Sequence, residues 1–290
     1  MTPLILADDF SGACDAAARV ARNGYSAAAV LEPMEVPGAD LVALSTETRH
    51  ASAAEARSRL RSLAPLARTR VLYKKIDSTL RGPWIAEVDE LLEITDYSQA
   101  LVCPAFPALG RAVRDGWLYV DGRRAQQIIC PFTVRDAETE EDLARIAAGL
   151  CSSILPVGSA GLAAHVFPPL GPPPAPLAAA RGDWLVLVGS GHPASQTQLQ
   201  ALREATLPGL SINPPQDPPS LAGVFATGGE TAARFLRRSG ALGVAALREL
   251  FPGVAAGRIL GGRYNGIVMI TKAGGFGPSD AILRALAAFR

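Results

Sequence analysis

The chain has 290 residues and three lysines; apart from three histidines, its other basic residues are all arginine. Lys74 and Lys75 lie in YKKIDSTLRG, and Lys272 lies in TKAGGFG. Lysine is a compact ammonium on a flexible stem, whereas arginine is a planar fork. A site that must follow a moving anionic group, such as a transferring phosphoryl, has a reason to prefer lysine. Chance survivors in an arginine-biased chain would rarely all fall within its two most motif-like stretches.

Other polar residues gather near these lysines. Asp8 and Asp9 follow a first apolar run; Ser45, Thr46 and Arg49 follow a third. Lys74, Lys75, Asp77, Ser78 and Arg81 follow a fourth, and CPAFPALGR a fifth. In open α/β sheets, ligand-binding loops lie at the carboxyl ends of strands. Each loop alone reads as a helix cap or a solvated turn. Four of them on one edge point to a small, highly polar, anionic ligand. Later in the chain VGSGHPASQ, ATGGETA and TKAGGFG each follow a strand-like run and open a helix-like one. Glycine lets backbone approach closely, and helix N-termini offer unpaired N–H groups, so these three turns suit phosphate. None is a Walker A or dinucleotide motif. ILADDFSG lacks the DxD spacing of aspartyl-phosphate enzymes, and GSAGLA is not the GxSxG elbow of a serine hydrolase.

The elements that must carry these loops alternate. Strands are expected at Leu4–Ala7, Ala27–Leu31, Leu41–Leu44, Val71–Tyr73, Ala100–Cys103 and Ile154–Val157. Helices are expected after Asp9, ending at Asn23-Gly24, and at Ser52–Leu66, Pro83–Ile94 and Glu138–Leu150. Residues 167–182 are rich in proline and read as a semi-rigid linker. Beyond it, strands at 184–188, 222–226 and 266–271 alternate with helices near 194–205, 230–239 and 279–289. The expectation is α/β: two α/β domains with mainly parallel sheets covered by helices. Their spans would be residues 1–167 for the polar loops, 168–182 for the linker and 183–290 for the glycine turns.

Composition excludes several classes. Net charge is +1, with 28 basic and 27 acidic residues, so no global field draws the chain to nucleic acid or an anionic membrane. Aromatic residues, at 6%, are sparse for base stacking. Cys14, Cys103, Cys130 and Cys151 form no CxxC pair, and the histidines show no ligand spacing, so a zinc site is not expected. Early acids argue against a signal peptide, and no apolar run is long enough to span a bilayer; a cytoplasmic location is expected.

The ordered set LADDFSGACDAA, STETRH, YKKIDSTLRG, CPAFPALGR, GSAGLA, VGSGH, TGGETA and TKAGGFG resembles the four-carbon acid sugar kinase family over nearly the whole chain. The resemblance implies an N-terminal domain for a sugar acid such as threonate, erythronate or 3-oxo-tetronate. It implies a C-terminal domain for ATP, with Mg²⁺, whose γ-phosphoryl passes to the acid's terminal hydroxyl. The family's acid-sugar loops fall on Asp8, Asp9, Ser45, Lys74, Asp77 and Arg81. Its nucleotide loops fall on Ser190, on Gly228, Gly229, Glu230 and Thr231, and on Gly274 and Gly275. Arg81 and one of Lys74 or Lys75 would hold the substrate's carboxylate and hydroxyls. An acid among Asp8, Asp9 and Asp77 would orient and deprotonate the acceptor, with Asp9 the choice; Asp9, Asp77 and Lys75 form the expected catalytic set. The partner is a small molecule, neither nucleic acid nor membrane, and a homodimer is allowed. The chain is shorter than the family's usual length, with the loss expected after Val120. A loop that usually reads Gly-Ser-Cys-Ser is here Gly189-Ser190-Gly191-His192. A non-catalytic sugar-acid- and nucleotide-binding regulatory paralogue is the rival reading.

Overall fold

The computed structural model describes residues 3–289. In chain order its first part contains β1 (Leu4–Ala7), α1 (Phe10–Ala21), β2 (Ala27–Val30), β3 (Leu41–Ser45), α2 (Ala53–Ser62), α3 (Ala64–Ala67), β4 (Leu72–Lys75), α4 (Trp84–Ile94) and β5 (Gln99–Cys103). Next come β6 (Arg111–Arg114), β7 (Trp117–Val120), β8 (Arg123–Gln127), β9 (Thr133–Val134), α5 (Glu140–Ala148), β10 (Ile154–Gly158) and α6 (Ala160–Val166). The last part holds β11 (Trp184–Val188), α7 (Pro193–Glu204), β12 (Leu210–Ile212), β13 (Gly223–Thr227), α8 (Gly229–Arg238), β14 (Gly243–Phe251), β15 (Val254–Leu260), β16 (Val268–Lys272) and α9 (Ala281–Ala287).

The fold is α/β with a mainly parallel, helix-covered sheet. Where two sheets were expected, the strands of both halves join into one 13-stranded sheet in the order β12-β11-β13-β16-β15-β14-β2-β3-β1-β4-β10-β5-β9. The junction is the hairpin β14–β15. β14 pairs antiparallel with β2 through Gly243–Val30 and Val244–Ala29, and β15 pairs antiparallel with β16. The remaining pairs of this sheet are parallel. β6, β7 and β8 form a separate antiparallel meander, turned at Asp115-Gly116 and Asp121-Gly122. After Val120, the residue beyond which the chain was expected to be shortened, the meander turns directly into β8.

α1 is the pivot of the architecture. Asp9 caps its start, and all twelve of its residues are buried. Its sequence, FSGACDAAARVA, is dominated by small side chains, which let strands and helices approach on every side. It packs against β1–β3, against β14–β16 and against α6 and α8. The sheet therefore curls around one helix that belongs to its first half and touches both. Residues 168–183 carry no helix or strand. They are tied to the corner after α1: Leu170 N–H donates to Asn23 O, and Tyr25 Oη donates to Pro168 O.

The long helix expected over Ser52–Leu66 divides at Leu63, two residues before Pro65, which cannot supply the N–H that would continue the ladder.

Candidate active site

The loop after β3 folds back onto β1. The N–H groups of Thr48 and Arg49 both donate to Asp8 O, at 3.0 and 3.1 Å. This sets the Arg49 guanidinium among three carboxylates. Its Nε and Nη2 donate to Asp8 at 2.7 and 2.8 Å, Nη1 pairs with Asp9 at 2.8 Å, and Nη2 lies 3.6 Å from Asp77. Burial opposes the Arg49 charge, and Asp9, Asp8 and Asp77 together more than reverse that effect. Burial would likewise raise Asp8, but Arg49 and Lys75 hold it below the usual carboxylate value.

Asp77 belongs to the turn after β4. It accepts from Arg81 Nε and Nη2 at 2.8 and 2.7 Å and from Thr79 Oγ1 at 2.5 Å. Against the desolvation that burial imposes, the Arg81 contacts and the Arg49 charge hold Asp77 far below the ordinary carboxylate range. Asp9 is both helix cap and cleft residue. It accepts from Gly12 N–H at 2.8 Å and from Ser11 Oγ at 2.7 Å, and it keeps more exposure than Asp8.

The opposite wall is made of backbone. Gly228 has φ +97°, a conformation that L side chains rarely adopt, and no side chain caps α8 behind it. The first N–H groups of α8 therefore face the cleft uncapped, an arrangement suited to an anion. A Cβ on Gly229 would lie 2.3 Å from Asp9 Oδ2, so the start of α8 abuts the carboxylate that caps α1. The loops after β11 and β16 meet beside it at Ser190 and Gly274. Lys272 shapes the second of these. Its Nζ donates to the carbonyls of Ala273, Gly274 and Phe276 at 2.8, 3.2 and 3.0 Å, and burial lowers its pKa to about 8.

These walls enclose one cleft of about 720 Å³. It brings together Asp8, Asp9, Asp77 and Arg81 from the first half with Ser190, Gly228, Gly229, Glu230, Thr231, Gly274 and Gly275 from the second. Arg49, Arg111, His192 and Arg234 line it as well. Lys75 does not line this cleft: it is buried, borders a small adjoining cavity, and its Nζ donates to Ile76 O at 2.7 Å.

Two expected substrate residues, Lys74 and Ser45, do not line the cleft. Successive strand residues face opposite sides of a sheet, so Lys74 points away from Lys75. Its ammonium pairs with Glu87 at 2.9 Å, both side chains being fully buried. Glu87 also accepts from Thr48 Oγ1 at 2.6 Å, so Lys74 supports the Arg49 loop from behind instead of touching the ligand space. Ser45 is buried too, and its hydroxyl donates to Glu47. Arg49 is the converse: it sits in STETRH, but nothing in the spacing marks it as the residue that joins three acids. Lys272, singled out for its type and its place in TKAGGFG, organises a loop.

Among the described residues no group of three or more histidine, cysteine, aspartate or glutamate side chains is arranged to hold a metal ion, and no helix is long and apolar enough to cross a membrane.

With this geometry in place, comparison with known proteins identifies the class. A family model described as a sugar-binding N-terminal domain matches residues 4–130, and one described as a nucleotide-binding C-terminal domain matches residues 216–282. The chain belongs to the four-carbon acid sugar kinase family. It is 30% identical to a D-threonate kinase of Bordetella bronchiseptica, covering 99% of this chain and 97% of that one. That alignment runs over 403 positions although this chain supplies only 290 residues, so the relative carries segments absent here. A D-threonate kinase of Cupriavidus necator is 34% identical over 74% of this chain and 67% of its own. Among solved structures, a Bordetella bronchiseptica domain of unknown function, a domain-swapped dimer with bound citrate, is 29% identical with a TM-score of 0.50, covering 100% of this chain and 98% of its own. A Salmonella typhimurium LT2 protein shares the fold at a TM-score of 0.74 and 18% identity, with both chains fully covered.

Proposed function

We propose that this chain is an ATP-dependent kinase that phosphorylates the terminal hydroxyl of a four-carbon sugar acid of the threonate, erythronate or 3-oxo-tetronate class. The observation that carries the reading is the contact between Asp9 and Gly229: a carboxylate from the sugar-binding half meets the uncapped start of a helix in the nucleotide-binding half. A phosphoryl held at α8 would then lie beside a hydroxyl held at Asp9. The kinase names of the relatives and the two matched domains support the same reading.

Residues 1–167 would bind the acid and residues 183–290 the nucleotide, with the proline-rich 168–182 between them. The cleft volume, the three loops around Ser190, Gly228–Thr231 and Gly274–Gly275, and the free N–H groups of α8 fit a nucleotide polyphosphate. Arg81 would take the acid's carboxylate, and Asp9 would orient the hydroxyl and accept its proton late in transfer. Phosphoryl transfer depends mainly on such positioning and on charge stabilisation. Mg²⁺ usually enters such sites on the phosphates with one or two carboxylates. Here Asp8, Asp9 and Asp77 are each held by arginine, so the described residues offer no ready-made cage and Mg²⁺ would arrive with ATP. A cytoplasmic homodimer would suit the dimeric Bordetella structure.

A coupled ADP-release assay over C3 to C5 sugar acids tests the reading. Acid-dependent ADP release on a four-carbon acid is expected. Binding of nucleotide and acid with no turnover on any member of the panel would replace the kinase with a regulatory ligand-binding protein.

A further inference from the structure

Beside the cleft lies a smaller cavity of about 20 Å³, bordered by Asp15, Lys75 and Ser78 and walled by Phe106 and Phe276. It shares Asp9, Arg49, Asp77 and Ser78 with the main cleft, so the two spaces adjoin. Asp15 and Ser78 are 6% and 4% exposed, and Asp15 Oδ1 and Ser78 Oγ have no hydrogen-bond partner among the described residues. Lys75 Nζ carries three protons and gives one to Ile76 O. A buried polar atom without a partner costs roughly 1–3 kcal/mol. Two such atoms and a partly used ammonium around one cavity describe a site built for a polar group supplied from outside. A cavity holding a water-sized group needs about 10–15 Å³, so this one admits a single oxygen and no carboxylate.

The hydrogen-bonding groups decide which oxygen. A hydroxyl can accept from both Lys75 and Ser78 and donate to Asp15, satisfying all three at once. Asp9 borders both cavities, so an oxygen seated here is a near neighbour of the one at Asp9. We propose that Lys75, Ser78 and Asp15 form the subsite for the acceptor's non-reacting hydroxyl, on the carbon next to the one phosphorylated. This inference rests on the sugar-acid kinase reading and assigns Asp15 and Ser78 a part in choosing the substrate. The acid's carboxylate then lies outward, toward the half-exposed Arg81.

The test crosses the protein with its substrate. The intact enzyme is assayed on 2,3,4-trihydroxybutanoate, on 2,4-dihydroxybutanoate, which lacks the neighbouring hydroxyl, and on 3,4-dihydroxybutanoate, which keeps it. A site built to bond a hydroxyl rejects the analogue lacking it strongly. Wild type should lose roughly 10²-fold or more in kcat/KM on 2,4-dihydroxybutanoate and clearly less on 3,4-dihydroxybutanoate. Asp15→Asn and Ser78→Ala should each shrink the first ratio below about tenfold, by losing activity on the hydroxylated acid alone. Ser78→Ala, which removes one oxygen, keeps the test open if Asp15→Asn does not fold. If the ratio is unchanged in the folded variants, or wild type uses all three acids equally, the subsite is overturned while the kinase reading stands. If no acid is turned over at all, the kinase reading falls and the subsite with it.

Discussion

The two walls of the cleft are made of different materials. The wall from the first half consists of charged side chains already neutralised by one another: Arg49 on Asp8 and Asp9, Arg81 on Asp77. The wall from the second half consists of backbone: a positive-φ glycine, uncapped helix N–H groups and a loop moulded by Lys272 through three carbonyls. The first wall is rigid because its charges are paired and largely out of water. The second depends on conformation, so it tolerates many side-chain changes yet almost none at the glycines where the backbone turns or touches the other wall. One wall should therefore respond to charge deletion and the other to added volume.

The strongest way to break the contrast is at the point where the walls touch. Gly229→Val places a side chain on the Asp9 carboxylate and disturbs both walls. Overpacking of this kind costs roughly 1–3 kcal/mol, and a displacement of about 1 Å at the reacting groups can cost about 10²-fold in rate. Turnover should fall by at least that factor, with loss of the melting-temperature rise expected of wild type with ATP. A variant with normal turnover would show that the Asp9–Gly229 contact is incidental.

Within the charged wall the two arginines should separate. Arg49→Ala leaves Asp8 and Asp9 without their main partner, and breaking a buried ion pair typically costs about 3–5 kcal/mol; denaturant unfolding would record it. Arg81, whose side chain is 59% exposed, should matter less for folding and more for the acid. Arg81→Ala should cut sugar-acid turnover by an amount equivalent to roughly 2–5 kcal/mol and leave ATP binding nearly intact. An equal loss of ATP affinity would move Arg81 to the nucleotide wall.

The smallest expected effect is one of pH. Asp8 and Asp77 are depressed, so their contribution is present above the ordinary Asp value of 3.8 and disappears only as pH falls through their lower folded values. Asp15 runs the other way. Burial raises it from 3.8 to about 7, so the folded state holds a proton that the unfolded chain has lost, and stability should decline as pH rises between those values. Asp15→Asn should flatten that decline, gaining melting temperature relative to wild type more at pH 8 than at pH 5. An identical pH profile in both proteins would show that Asp15 is not held protonated.

The strands bearing the polar and glycine loops were legible because each is a short apolar run ended by a motif. The elements that went unread lack that signature. In β14, GVAALRELF mixes small and charged residues, and bulges between Ala245 and Arg248 and between Glu249 and Phe251 break the alternation. The meander did leave a signal, since Asp115-Gly116 and Asp121-Gly122 are the Asp-Gly pairs that favour tight hairpins. Its strands RAVR and RRAQQ were too polar to read as sheet. At the site, residue types marked the polar loops, but pairing is a three-dimensional fact. Neighbouring Lys74 and Lys75 part because a strand alternates, and Arg49 gains its place from backbone bonds to Asp8 that no spacing announces.

The most direct measurement follows the γ-phosphoryl itself. Radiolabelled ATP is incubated with the wild-type chain or with Asp9→Asn in the presence of a four-carbon sugar acid, while calorimetry follows binding of each ligand. If the two walls form one transfer site, wild type moves label to the acid's terminal hydroxyl. Asp9→Asn should bind both ligands with little change and transfer label roughly 10²–10⁴-fold more slowly, the usual contribution of a general base. Label released only to water, or equal transfer by both proteins, would contradict the account.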